Sequence, residues 1–286
     1  MKDELALPLI DAALAGSDGA LERVVAGVQD DVYRLALRML GHRADAQDAT
    51  QEILIRVVTS LASFERRSSF ATWVYSIAAN HLRDAASRRQ SRQMSSLDAM
   101  AEQLDAGLAL TAHVDLASHC GDPALQLEAR ELGLRCTQGM LMGLDVDHRL
   151  ALVLSEIFGI DTAHGAQVLG IGPAAYRQRL SRARRRLQEF MSGRCGWVDG
   201  QAPCSCPRQA LAARAAGHSV PIHWAAGESD EARREALAAG YDELALMQRI
   251  AIALRRTPQW QVPAAVTERL HSVIAASPLL GGRTMD

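Results

Sequence analysis

Arginines set beside aromatic rings are the side chains in this sequence whose chemistry is easiest to name. Arg66, Arg67 and Ser68 come just before a segment holding Phe70, Trp73 and Tyr75; Asn80 and Arg83 lie within it, and Arg88, Arg89 and Arg92 follow. Guanidinium groups hold phosphate, and aromatic rings stack on bases freed from a duplex, so this set suits nucleic acid whose strands have parted. It equally fits a helical hairpin with an aromatic core and a solvated arginine fringe. A second basic run, 177–194, carries seven arginines against Glu189 alone.

Sulfur makes the third grouping. Cys195, Cys204 and Cys206 stand in a C-x8-C-x-C spacing. With His218 or His223 as a fourth ligand, these thiols could hold a soft metal, zinc or copper, or else sense redox state. The spacing matches no standard zinc finger, and a small loop with free thiols accounts for it as well. Catalytic constellations are another matter: there are no paired carboxylates in a cleft-like context, no Gly-rich phosphate loop and no nucleophile elbow. The sequence does not read as an enzyme.

The elements that must position these groups follow from apolar spacing. Thr50, Leu54, Val57, Val58 and Leu61 recur at three- and four-residue steps, which predicts a helix with one buried face. Asp48, Gln51, Glu52 and Ile55 keep that spacing on a different face, acidic with one apolar residue in it. The run Phe64-Glu65-Arg66-Arg67-Ser68-Ser69 breaks the pattern, and Ser69 is placed to cap a second helix whose apolar members are Phe70, Trp73, Val74, Ile77 and Ala78. Upstream, residues 4–40 read as helices, with a turn at Gly16-Ser17-Asp18-Gly19 and a stop at Gly41.

Downstream, apolar patterning decays over 93–123, where Leu97, Met100, Leu104 and Leu108 suggest only a weak helix, and this stretch reads as a flexible linker. Helical runs resume at Leu125. Asp161 is placed to cap a helix carrying Ala166, Val168 and Leu169, Gly170 permits a sharp turn, and Pro173 starts the next helix. That is a helix-turn-helix layout, whose second helix offers Ala175, Arg177, Gln178, Ser181 and Arg182 to a major groove. Gly165, inside the first of the pair, costs that helix roughly 1 kcal/mol against Ala.

Two of these stretches carry a family resemblance. Asp48-Ala-Thr-Gln-Glu52, Phe64 and Ser69-Phe-Ala-Thr-Trp73-Val-Tyr75-Ser-Ile-Ala-Ala-Asn80 resemble the core of the extracytoplasmic-function (ECF) sigma factors, bacterial subunits that direct RNA polymerase to promoters. Asp31-Val-Tyr33-Arg-Leu-Ala and Arg179-Leu-Ser-Arg-Ala-Arg184 resemble further parts of the same proteins. The resemblance implies an all-α fold of two helical domains, and core RNA polymerase and promoter DNA as partners, with an anti-sigma factor as a third. It implies that Asp48, Gln51, Glu52 and Ile55 dock on polymerase. Arg66, Arg67, Ser68, Phe70, Trp73, Asn80 and Arg83 would then engage the melted promoter element, and the helix from Pro173 would read the upstream duplex element. No cofactor is implied. The cysteine stretch resembles a reduced version of the metal-sensing C-terminal segments that some sigma factors carry.

The resulting organisation is a region-2-like domain over 1–92, the linker over 93–123, a helix-turn-helix domain over 124–191 and an extension over 192–286. In the extension, 228–256 and the segment after Pro263 read as helices. Over 195–286 nine acids balance nine bases, which favours a regulatory domain docked on the core over a DNA contact. Residues 1–52 hold ten acids against five bases, so basic segments sit on an otherwise acidic chain of net charge −2. Such a distribution fits a DNA binder that also docks on a protein. A stand-alone helix-turn-helix regulator is the competing reading, but it leaves 45–83 without a role. No apolar run reaches membrane-span length and no signal pattern opens the chain, so a cytoplasmic protein with mostly free thiols is expected.

Overall fold

Polar side chains start the helices where the sequence places them ahead of apolar runs. The computed structural model describes residues 3–90, 96–119, 121–217 and 264–276, and they are almost wholly helical. The described residues fall into two compact units, one formed by 3–88, 161–176 and 264–276, the other by residues between 89 and 160 and from 177 to 217.

In the first unit, α1 (Asp3–Leu14), α2 (Ala20–Ala26) and α3 (Gln29–Leu40) lead to α4 (Arg43–Thr59) and α5 (Phe70–Gln90). Gly41 ends α3 in the left-handed conformation, φ 67°, which a residue without a Cβ adopts freely. The predicted inner face is buried: Thr50, Leu54, Val57 and Val58 on α4, and Leu61 in the short turn that follows it. Ser69 caps α5 as expected, its Oγ accepting from Thr72 N at 3.0 Å. The short helix α9 (Thr162–Leu169) belongs to this unit, and its cap is Asp161, which accepts from Ala163 N at 2.8 Å and His164 N at 3.0 Å. A last helix, α12 (Ala264–Ala276), packs against α4 and buries Val266 and Leu270. It begins where the sequence predicted a final helix; the predicted helix 228–256 lies outside the described residues.

Gly165 has a positive role rather than a cost. Tyr176, at the start of α10 (Pro173–Met191), is fully buried, and a Cβ built on Gly165 would lie 2.4 Å from its ring. The glycine makes room for the tyrosine, which locks the turn after α9. Gly165→Ala should therefore destabilise the protein, against the helix-propensity gain. Overpacking costs about 1–3 kcal/mol, which outweighs that gain of about 1. Thermal unfolding of Gly165→Ala, alone and in a double-mutant cycle with Tyr176→Leu, measures this; the two losses should be less than additive, because Leu removes the ring that the new methyl would strike.

The second unit contains α6 (Leu97–Leu110), α7 (Pro123–Met142), α8 (Val146–Leu152) with a π turn over Val153–Ile157, most of α10, and α11 (Cys206–Ala215). Here the expectation of a flexible linker fails: residues 97–110 form a helix capped by Ser96 and packed on α7 and α11. The approach is close. A Cβ on Gly107 would sit 2.2 Å from Gln209 Oε1, and one on Gly143 would sit 2.8 Å from Leu97. Buried Arg149 closes the turn from α7 to α8 by donating to the carbonyls of Met142 at 2.9 Å and Leu144 at 3.0 Å.

The opening of the extension is built into this unit. Leu125 and Ala129 of α7 form a small core with Ala210 of α11. Gln209 donates to Leu104 O at 2.6 Å and Arg208 to Thr111 O at 2.5 Å, both across to α6 or its end. Arg214 bridges Glu128 at 2.6 Å and Asp122 at 3.0 Å. The pairing with Arg214 holds the Asp122 carboxyl below its ordinary pKa.

Candidate nucleic-acid and polymerase interface

On α4, the residues of the outer face keep the arrangement their spacing predicts. Asp48 and Glu52 are exposed, and Gln51 and Ile55 are half-buried beside them. Glu52 also lies 3.8 Å from His81 of α5. Burial pushes the His81 pKa down, against the pull of Glu52, so at neutral pH this contact is a neutral imidazole beside a carboxylate.

On α5, a seven-residue step and a three-residue step bring Trp73, Asn80 and Arg83 to one side of the helix. Arg83 donates to Asn80 Oδ1 at 3.1 Å, which pre-positions both side chains. Trp73 is half-buried, its ring packed against Phe64 and Phe70 with centroids 5.4 and 5.7 Å away. Phe70 itself is only 1% exposed. Phe70, expected among the promoter contacts, is enclosed in the core here, stacked beneath Trp73. Tyr75 also turns inward, and burial raises its pKa.

The loop before α5 carries Arg66 and Arg67 exposed and Ser68 half-buried. Arg66 pairs with Asp11 and Arg67 with Glu65, the latter at 2.7 Å. Arg66 sits at φ 56°, an uncommon conformation for a side-chain-bearing residue. Phosphates would thus compete with surface carboxylates for these two arginines, an exchange that costs little because exposed pairs contribute about 0–1 kcal/mol.

Along α10, Tyr176, Leu180, Ala183, Leu187 and Phe190 form the buried stripe, and Ala175, Arg177, Gln178, Ser181 and Arg182 all lie exposed away from it. Two neighbouring arginines are held back: Arg179 pairs with Asp147 at 3.3 Å and Arg184 with Glu156.

The cysteines come together, though not as a closed metal site. Among the described residues no group of three or more His, Cys, Asp or Glu side chains is placed to hold a metal ion as it stands, and His218 and His223 lie outside the described residues. Cys195 and Cys204 are paired by a single backbone bridge, Gly196 N donating to Cys204 O at 2.8 Å and Cys204 N to Arg194 O at 3.1 Å. Cys206 follows in the first turn of α11, and Cys136 of α7 joins them around one cavity. Sequence reasoning missed Cys136, which no local spacing connects to the other three. Burial raises the pKa of the Cys136, Cys204 and Cys206 thiols, Cys206 to about 12, and their mutual repulsion as thiolates adds to this. Protonated, buried thiols are poor nucleophiles, which counts against redox sensing.

Comparison with known proteins agrees with this geometry. Residues 24–92 match the family model for Sigma-70 region 2 and residues 134–187 that for Sigma-70, region 4. The paired helical modules therefore define a sigma-70-type initiation factor, and residues 24–92 have a role that a stand-alone regulator would not give them. RNA polymerase sigma factor CarQ of Myxococcus xanthus is 30% identical over 176 residues, 62% of this chain and 91% of that protein. ECF RNA polymerase sigma factor SigC of Mycobacterium tuberculosis is 29% identical over 185 residues, 65% of this chain and 90% of that one. The ECF RNA polymerase sigma-E factor of Escherichia coli is 29% identical over 181 residues, 63% of this chain and 90% of that one. The chain belongs to the ECF family of RNA polymerase sigma factors. Such factors are not enzymes and need no cofactor. No described helix is long and apolar enough to cross a membrane.

Proposed function

We propose that this sigma factor divides its work among three helical surfaces. The face of α4 with Asp48, Gln51, Glu52 and Ile55 docks on core RNA polymerase. The face of α5 with Trp73, Asn80 and Arg83, together with Arg66, Arg67 and Ser68 in the loop before it, captures bases of the melted promoter. Ala175, Arg177, Gln178, Ser181 and Arg182 on α10 read the upstream duplex element. Capture of this kind opens DNA without a catalytic group, since stacking of about 1–3 kcal/mol per base offsets unpairing. The observation that carries the reading is the Trp73 side of α5: a half-exposed indole held by two phenylalanines, in line with a pre-positioned Asn80–Arg83 pair.

The docking face is tested by charge reversal. Asp48→Arg, whose side chain meets solvent, should weaken association with core polymerase by roughly tenfold or more and slow encounter most at low salt. Fluorescence anisotropy of labelled sigma against core polymerase measures it, and an unchanged affinity would remove α4 from the interface. Asp48→Arg is cleaner than Glu52→Arg, which would also set a cation against His81. We further read the extension, 192–286, as regulatory, with Cys195, Cys204 and Cys206 giving it a response to zinc or copper.

A further inference from the structure

The cavity bordered by α6, α7 and the start of the extension has a lining unlike the rest of the protein. It measures about 480 Å³, and around it stand the thiols of Cys136, Cys195, Cys204 and Cys206 with the thioethers of Met100 and Met142. Six sulfur atoms from three separate parts of the chain is a donor set with one chemical preference, for a soft ion. The scaffold supports convergence. The backbone bridge fixes Cys195 opposite Cys204, and directly paired residues point their side chains to the same side. Ser205 caps α11 directly before Cys206, so the positive end of that helix faces the thiols. Arg135 lines the cavity and offsets part of the charge of a thiolate cluster, while Arg194, which adjoins Cys204, is itself paired with Asp105 at 3.9 Å.

We propose that Cys136, Cys195, Cys204 and Cys206 are the four ligands of a single zinc ion, with Cys136 in the place that sequence spacing gave to a histidine. Four thiolates are the donor set of closed, structural zinc sites. The thiols surround the cavity instead of forming a finished shell, so the ion draws them inward as it displaces their protons. Bound there, zinc ties α7 to the opening of the extension and fastens α11 over α6.

This deepens the regulatory reading of the extension, and its test is therefore run apart from transcription. Full-length protein, stripped of metal under reductant, is titrated with zinc, followed by native mass spectrometry and by peptide mapping of cysteines alkylated with N-ethylmaleimide. One zinc per chain is expected, with those four cysteines protected together. Cys136→Ser should weaken zinc binding roughly 100-fold or more, as Cys204→Ser does, while Met100→Leu and Met142→Leu leave it unchanged. The wild-type protection pattern holds even if a Ser variant folds poorly. Failure of zinc to bind would overturn the proposal, as would protection that spares Cys136. Preferential binding of copper(I), weakened by the methionine changes, would overturn the choice of ion. Zinc that binds as expected while run-off transcription stays the same would leave the site standing and remove the regulatory reading.

Discussion

Trp73→Ala should leave this sigma factor able to bind core polymerase and duplex promoter yet poor at opening it. The indole is the one large ring on the proposed capture face, and losing one stacked base is worth about 1–3 kcal/mol, or roughly 5- to 150-fold in open complex. Permanganate reactivity of unpaired promoter thymines measures opening directly. The same ring also packs on Phe64 and Phe70, so a folding defect could imitate the result. Trp73→Phe separates the two, because it keeps an aromatic face and most of the packing. Expected is near-normal opening with Phe and the full loss with Ala, each measured well below the variant's own melting temperature. Normal opening by Trp73→Ala would end the assignment of α5.

Truncation after Met191 should have the other large effect, on stability. By homology alone, cutting there would leave both sigma modules whole. The structure says otherwise, since α11 completes the core at Leu125 and Ala129 and takes up Gln209, Arg208 and Arg214 in bonds to α6 and α7. Removing it uncovers that core and leaves the α6 carbonyl of Leu104 without its donor. A loss on the order of 3–5 kcal/mol is expected, comparable to deleting a large core side chain. The same cut takes α12 away from α4, so both units should lose stability and melt at a lower temperature than in the full chain. A truncated protein as stable as the full chain would mean that α11 is an accessory.

Where the sequence was legible, the information was local. Caps at Ser69 and Asp161, the left-handed stop at Gly41 and the period of Thr50, Leu54, Val57 and Val58 each depend on residues within a turn or two, and each forms as read. The two outer faces of α4 and α10 were legible for the same reason. What could not be read depends on partners far along the chain. Residues 97–110 look like a linker because their apolar pattern is weak; what holds them is Gln209 and Arg208, about a hundred positions downstream. Cys136 is invisible beside a C-x8-C-x-C spacing until α7 and α11 pack together. Phe70 and Trp73 are alike on paper, and only the enclosure of one by its neighbours separates the buried ring from the half-exposed one. Gly165 looked like a weakness because a sequence shows the missing methyl but not the tyrosine that needs the space.

The return of α12 to α4 has a practical bearing on dissection of this protein. A fragment carrying only the first ninety or so residues would lack the helix that lays Val266 and Leu270 against α4. Its α4 would present a bare oily strip beside the acidic edge. Such a piece invites self-association in the test tube, and clumping there would report on the missing cover, not on the module's native behaviour.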